Sequence, residues 1–182
     1  MTEASERAER PLDENGEVAL RPVQPEDEDF LLSVYASTRA EEMALVNWDE
    51  AQQQAFLRMQ FKAQFEQYHA RFPDAAYSII LFRGERAGRF WIGRAPDQIR
   101  LLDIAILPQY QNRGIGSTLL KDLIAEARET RRPLRHMVYK FNLAALRFYQ
   151  RLGFSLLEEA GLYLHMELLP SAARLEAIPS RD

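Results

Sequence analysis

The apolar positions change period several times along the chain, and each change marks an element. Residues 18–21 are a short apolar-rich run followed by Pro22 and Pro25, and 27–38 places Phe30, Leu31, Val34 and Tyr35 at helical spacing, so the segment reads as strand then helix. Asp49 followed by Gln52 has the form of a capping box with Asp at the cap. It opens a long Gln-rich helix to about Ala70, with Ala55, Phe56, Met59 and Ala63 on one face. Three β-rich runs, 76–83, 87–92 and 99–107, are separated by Gly84-Glu85 and by 93–97, which is how consecutive antiparallel strands read. Residues 114–129 put Ile115, Leu119, Leu120, Leu123, Ile124 and Ala127 on one stripe, predicting a helix packed on a sheet and ended before Pro133. The remainder reads as a strand at 134–140, a helix at 142–152 stopped by Gly153, and a final pair of strands, 154–159 and 162–168, around Gly161. The predicted order is βααβββαβαββ, an α/β fold on a mixed sheet.

Composition sets limits on this picture. The chain has 182 residues, 47% of them hydrophobic, which suits one globular domain with a sizeable core. Residues 1–17 are charged and nearly free of large apolar side chains, and 170–182 carry two prolines and scattered charge. The expectation is a domain at 18–169 between two loose tails. No apolar run approaches the roughly 20 residues that span a bilayer, and the acidic first residues have no signal-like apolar core, so the expected location is cytoplasmic. With no cysteine and three histidines, His69, His136 and His165, a disulfide framework, a thiolate metal site and a cysteine nucleophile are excluded, and no metal is expected. A formal net charge of −4 argues against nucleic acid as a partner.

The chemistry concentrates at 103–118. An apolar strand ends at Pro108, a short polar loop follows, and Arg113, Gly114 and Gly116 stand where the next helix begins. Unpaired N–H groups at a helix N-terminus, with the macrodipole behind them and glycines that let a pyrophosphate come close, make an anion site. The spacing excludes two nucleotide readings. No Lys precedes Ser117-Thr118, as a Walker A loop requires, and Leu119 stands where the dinucleotide fingerprint needs glycine.

Gln111-x-x-Gly114-x-Gly116, after a strand and Pro108, resembles the acetyl-CoA signature of the GNAT superfamily. The stretch from Asn142 to Phe154, NLAALRFYQRLGF, resembles that superfamily's second block, Asn-x-x-Ala-x-x-Phe-Tyr-x-x-Leu-Gly-Phe. The resemblance covers about 18–168 in element order and is motif-specific over 103–154. It implies the GNAT acyltransferase fold, with a mostly antiparallel sheet of about seven strands flanked by helices. It also implies an N-acetyltransferase that takes acetyl-CoA as co-substrate.

Residue by residue, the resemblance implies that the backbone of Ile104, Ala105 and Ile106 runs beside pantetheine as an added strand would, in a slot between 104–107 and 134–140. Gln111, Asn112, Arg113, Gly114, Ile115, Gly116 and Ser117 form the pyrophosphate loop. Asn142 is both a cofactor contact and a good N-cap. Tyr149 matches the tyrosine that protonates the departing CoA thiolate, with a core aromatic beside Phe148 as the competing role. An acyl-cysteine relay is impossible, and direct attack of a bound amine on the thioester in a ternary complex is the simpler expectation.

The base stays open. Some relatives carry a glutamate where this chain has Met137, and Glu41, Glu42, Asp103, His136 and His165 are the candidates. The segments expected to shape the acceptor pocket, about 35–48 and 158–163, hold Arg39, Glu41, Glu42, Trp48, Glu158 and Glu159, which suit a cationic amine. Apolar residues on the last strands would support a homodimer. Two rival readings are a non-catalytic acyl-CoA-binding module and a plain interaction domain.

Overall fold

A computed structural model describes residues 16–170. The two expected tails fall almost wholly outside the described residues. At the inner border of the first one, Glu17 is tied in, since its carbonyl accepts from the Arg83 N–H and its carboxylate pairs with the Arg83 guanidinium at 2.7 Å.

In chain order the elements are β1 (Val18–Pro22), a 3-10 turn (Pro25–Asp27), α1 (Glu28–Thr38), α2 (Ala40–Met43), α3 (Glu50–Arg71), β2 (Ala76–Phe82), β3 (Glu85–Arg94) and β4 (Ile99–Ile106). A second 3-10 turn (Pro108–Tyr110) leads to α4 (Ile115–Glu129), β5 (Leu134–Tyr139), α5 (Leu143–Arg151), β6 (Ser155–Ala160) and β7 (Tyr163–Leu168). The seven strands follow the order β1-β2-β3-β4-β5-β7-β6, a mixed, mostly antiparallel sheet with helices flanking it. The parallel neighbours are β4 and β5, which the intervening helix α4 makes possible. The single turn α2 is an element beyond the expected order.

The described residues pack as two compact units, one within Met1–Trp91 and Asp103–Ile115, the other within Ile92–Leu102 and Gly116–Asp182. In the first unit β1 pairs antiparallel with β2 from Val18↔Phe82 to Pro22↔Ser78. Leu31, Tyr35, Met43, Leu57, Phe61 and Ile79 form one buried cluster that joins α1, α2 and α3 to β2. Helix α3 starts as the sequence predicts: Asp49 accepts from the Gln52 N–H and the Gln52 side chain accepts from the Asp49 N–H.

The buried face of α3 differs from the expected one. Met59 is 61% exposed and Ala55 and Ala63 are exposed, whereas Leu57 and Phe61 are buried and Phe65 is half-buried. The buried stripe lies one residue over from the expected one and brings the half-buried Gln60 and Gln64 inward with it. Aromatic packing decides this. Phe61 lies 5.8 Å from Tyr35, and Phe65 stands edge-on to Trp91, which offsets two inward amides better than Ala55 and Ala63 would.

The predicted stripe of α4 is buried in full, and its members from Leu119 to Ala127 belong to the second unit. Helix α5 ends at Gly153, whose φ of 96° is a conformation that favours glycine. Glu126, buried on α4, accepts two hydrogen bonds from Arg94 at 2.8 and 2.9 Å and pairs with Arg132. The apolar residues expected on the last strands, Leu156, Leu157, Leu162 and Tyr163, are exposed.

The first unit is anchored by Asp27, which is fully buried. Arg21 donates to both of its carboxylate oxygens at 2.6 and 2.7 Å, and the Gln24 N–H and Arg86 add to them. The Arg21 hydrogen bonds, against the cost of burial, hold the Asp27 carboxyl down at about 2. A carboxyl depressed this way stabilises the fold above the unfolded-state value of about 4, and that contribution is lost as pH falls through about 2. Asp27→Asn is therefore expected to lower stability by about 2 kcal/mol at pH 7. Urea unfolding of both proteins should show the difference at pH 7 and a narrowing gap below pH 4.

Candidate active site

Within the first unit the loop after β4 is fixed by its own side chains. The Gln111 amide donates to the Ile106 carbonyl at 2.9 Å, and the Leu107 N–H donates to Ala87 of β3. Tyr110 donates its hydroxyl to Glu85 and packs edge-on against Phe82, and the Glu85 carboxylate raises the Tyr110 phenol above its ordinary value. The Arg113 guanidinium lies 5.8 and 5.9 Å from the Phe82 and Tyr110 rings. Asn112 and Gly114 both have left-handed backbone, at φ 59° and 81°, which folds the chain back at the head of α4. Residues 111–114 are exposed, Ile115 is buried, and the first-turn amides of α4 have no partner four residues back. An exposed loop of this curvature, with an arginine beside it and a helix N-terminus after it, can hold a diphosphate.

Strand β4 is positioned by a close approach. The Ala105 carbonyl oxygen lies 2.1 Å from where a Cβ on Gly88 would stand, so only glycine lets β3 and β4 meet this way. Beside it, Arg89 of β3 is 1% exposed, and its Nε lies 2.5 Å from Asp103 Oδ2, out of line for a hydrogen bond. Gly88 and Arg89 went unremarked in the sequence. The available signal was a glycine and a charged residue inside the apolar run 87–92.

In the second unit β4 and β5 pair over three positions only, ending at Leu101↔His136, whereas β5 and β7 pair over six. Asn142 caps α5, its side chain accepting from the Ala145 N–H at 3.0 Å. Tyr149 is 4% exposed, with rings of His136 at 4.4 Å, Phe148 at 5.4 Å and Phe154 at 5.5 Å around it. His136 Nδ1 lies 3.1 Å from the Leu101 carbonyl, at the last paired position. Gly116 and Ser117 are half-buried in the first turn of α4.

The structure sorts the base candidates. Glu42 is paired with Arg39 and Asp103 with Arg89, Glu41 is exposed, and His165 faces Met137 on one side and Glu158 on the other. Of the residues expected around the acceptor, Trp48 stands edge-on to Phe56, Glu159 pairs with Lys140, and Glu158 is exposed. A cavity of about 350 Å³ between α1, α2 and α3 is lined by Ala36, Ala40, Met43, Ala44, Gln53 and Leu57, and holds no ionisable group. Among the described residues no three His, Cys, Asp or Glu side chains gather as a metal site needs, and no helix is long and apolar enough to cross a membrane.

The profile of the acetyltransferase (GNAT) family matches residues 39–154, more than half of the chain. The chain belongs to the GNAT acetyltransferase family. It is an acyltransferase, and its co-substrate is acetyl-CoA. Solved GNAT structures share its fold. The PaiA N-acetyltransferase of Thermoplasma acidophilum, in complex with coenzyme A, is 19% identical with a TM-score of 0.63, covering 84% of this chain and 98% of its own. A protein of Corynebacterium glutamicum described as histone acetyltransferase HPA2 and related acetyltransferase is 20% identical with a TM-score of 0.61, covering 91% and 99%. A GNAT acetyltransferase of Elizabethkingia anophelis with acetyl-CoA bound is 16% identical with a TM-score of 0.55, covering 84% and 98%. No curated protein matches the sequence.

The Gly88 contact yields a stability prediction for this GNAT chain. Gly88→Ala places a methyl against the backbone of Ala105 and Ile106, so strand β4 must move. The expected loss is about 3 kcal/mol, the upper end for overpacking, and thermal unfolding of the variant measures it.

Proposed function

We propose that this chain transfers acetyl from acetyl-CoA to a primary amine, by direct attack of the amine in a ternary complex. The observation that carries the reading is the early end of the β4–β5 pairing at Leu101↔His136, followed in sequence by Ile104, Ala105 and Ile106. An extended pantetheine would find strand backbone to pair with there. Gln111, with its side chain on the Ile106 carbonyl, fixes the turn. Asn112, Arg113, Gly114, Ile115, Gly116 and Ser117 then present amides and one guanidinium to the diphosphate. Asn142 keeps its capping bond to Ala145 and offers its side-chain amide to the co-substrate.

Acetyl-CoA supplies an acyl group activated as a thioester. The neutral amine nitrogen forms a bond to the acyl carbon, the bond from that carbon to sulfur breaks, and the developing oxyanion is met by strand N–H groups near Ile106. The amine gives up one proton to solvent through a water path, since the structure pairs Asp103 and Glu42 with arginines. The departing sulfur takes one proton from the Tyr149 hydroxyl, which regains one from solvent to balance the proton the amine released, and the rings of His136, Phe148 and Phe154 pack around it.

Thiol release from acetyl-CoA, followed with a thiol-reactive dye across a panel of amines, tests this. The absence of cysteine keeps the background low. Release should depend on the amine, and Tyr149→Phe should lower kcat by about 100-fold or more with little change in KM for acetyl-CoA. A Tyr149→Phe enzyme as fast as wild type would leave Tyr149 as packing. No release with any amine, while acetyl-CoA still raises the melting temperature, would favour the non-catalytic acyl-CoA-binding module.

A further inference from the structure

The first unit has a polar interior that the steps above do not use. Arg89, Trp91, Tyr77, Arg39 and Asp103 all carry buried side-chain polar atoms with no hydrogen-bond partner among the described residues, and together they account for every such atom found there. They are neighbours. The Arg89 guanidinium lies 4.8 Å from the Trp91 ring and 5.6 Å from the Tyr35 ring. Arg39 approaches the same Tyr35 ring at 5.4 Å, and Tyr77 stands 4.7 Å from Trp91. Two glutamines of α3 line the same region, Gln64 accepting from Arg89 Nη2 at 3.1 Å and Gln60 accepting from the Tyr35 hydroxyl at 3.1 Å.

The inventory of these atoms has a direction. Arg39 Nε, Arg89 Nε, Arg89 Nη1 and Trp91 Nε1 can only donate. Burial pushes the Tyr77 phenol up to about 12, so its hydroxyl keeps its proton at neutral pH and can donate as well. The acceptors among them are the Tyr77 oxygen and Asp103 Oδ2, which faces Arg89; the Asp103 side chain is 21% exposed and that of Arg39 33%. Buried donors are almost always satisfied in folded proteins, and a surplus of them is complemented by a group that brings acceptor oxygens. Arg39 pairs with Glu42 and Arg89 lies beside Asp103, and the guanidinium nitrogens that these carboxylates leave without a hydrogen bond suit a further planar carboxylate.

Resting on the reading above that an amine is the acceptor, we infer that this cluster is the acceptor site and that the acceptor carries a carboxylate beside its amine. It would be an amino acid or a similar zwitterion. Arg39 and Arg89 take the carboxylate, Gln64 and Asp103 hold Arg89 in place, and Asp103 faces the amine. Asp103 immediately precedes Ile104, so the amine stands next to the backbone proposed to run beside pantetheine.

The test uses the full chain loaded with coenzyme A and reads binding apart from turnover. Melting temperature is followed against the twenty amino acids, their methyl esters and the matching decarboxylated amines. Kinetics with acetyl-CoA follow for those that bind. The free acids should bind about 10- to 100-fold more tightly than their esters or amines. Arg39→Gln, at a partly exposed position, should abolish that preference with KM for acetyl-CoA unchanged, and Arg89→Lys should weaken it. Esters binding as well as acids, an undiminished preference in Arg39→Gln, or no shift with any free acid would overturn the inference. If free acids bind but none is acetylated, carboxylate recognition at the cluster stands, and the transferase reading above and the acceptor role that rests on it fail.

Discussion

The path of residues 103–107 is the constraint on which the proposed acetyl transfer depends. Four local contacts hold it. Gly88 lets the Ala105 carbonyl come where a side chain would otherwise be, Leu107 pairs with Ala87, the Gln111 amide sits on the Ile106 carbonyl, and Arg89 faces Asp103. Each acts from β3 or from the loop that follows. The backbone of 104–106 is therefore fixed by the protein itself, which suits the strand-like edge proposed for pantetheine, because ordering it on binding would reduce affinity.

The two units stabilise themselves by different means. The second relies on an apolar stripe, from Leu119 to Ala127 of α4, closed at one end by the Arg94–Glu126–Arg132 ion group. The first puts charge inside, Asp27 under Arg21 and Arg86, and Arg89 against Asp103. A buried ion pair costs desolvation that its attraction only partly offsets, so it is weak evidence for stability and a better pointer to a role. The Asp27 group makes in-line hydrogen bonds to Arg21 and is structural. The Arg89 group leaves donors unmatched amid aromatic rings and glutamines, a pattern that suits recognition of a polar ligand.

Much of the fold was legible along the chain because it depends on neighbours in sequence. The capping box at Asp49 and Gln52, the cap at Asn142, the stop at Gly153 and the stripe of α4 involve residues a few positions apart, and all stand where their spacing puts them. The two GNAT motifs are likewise contiguous, and the family match over 39–154 agrees with them. Element order followed from the same local signals, apart from the single turn of α2.

What tertiary structure alone decided is which side of an element meets what. A Gln-rich helix with apolar residues on two faces does not say which face turns inward. The Tyr35 and Trp91 rings chose Phe61 and Phe65 and carried Gln60 and Gln64 in with them. The meeting of Arg89 with Asp103, of Asp27 with Arg86, and of Gly88 with Ala105 joins residues 14, 59 and 17 positions apart. No periodicity encodes such contacts, because they depend on strand register and on the packing of a helix against a sheet, both set by the whole chain folding at once.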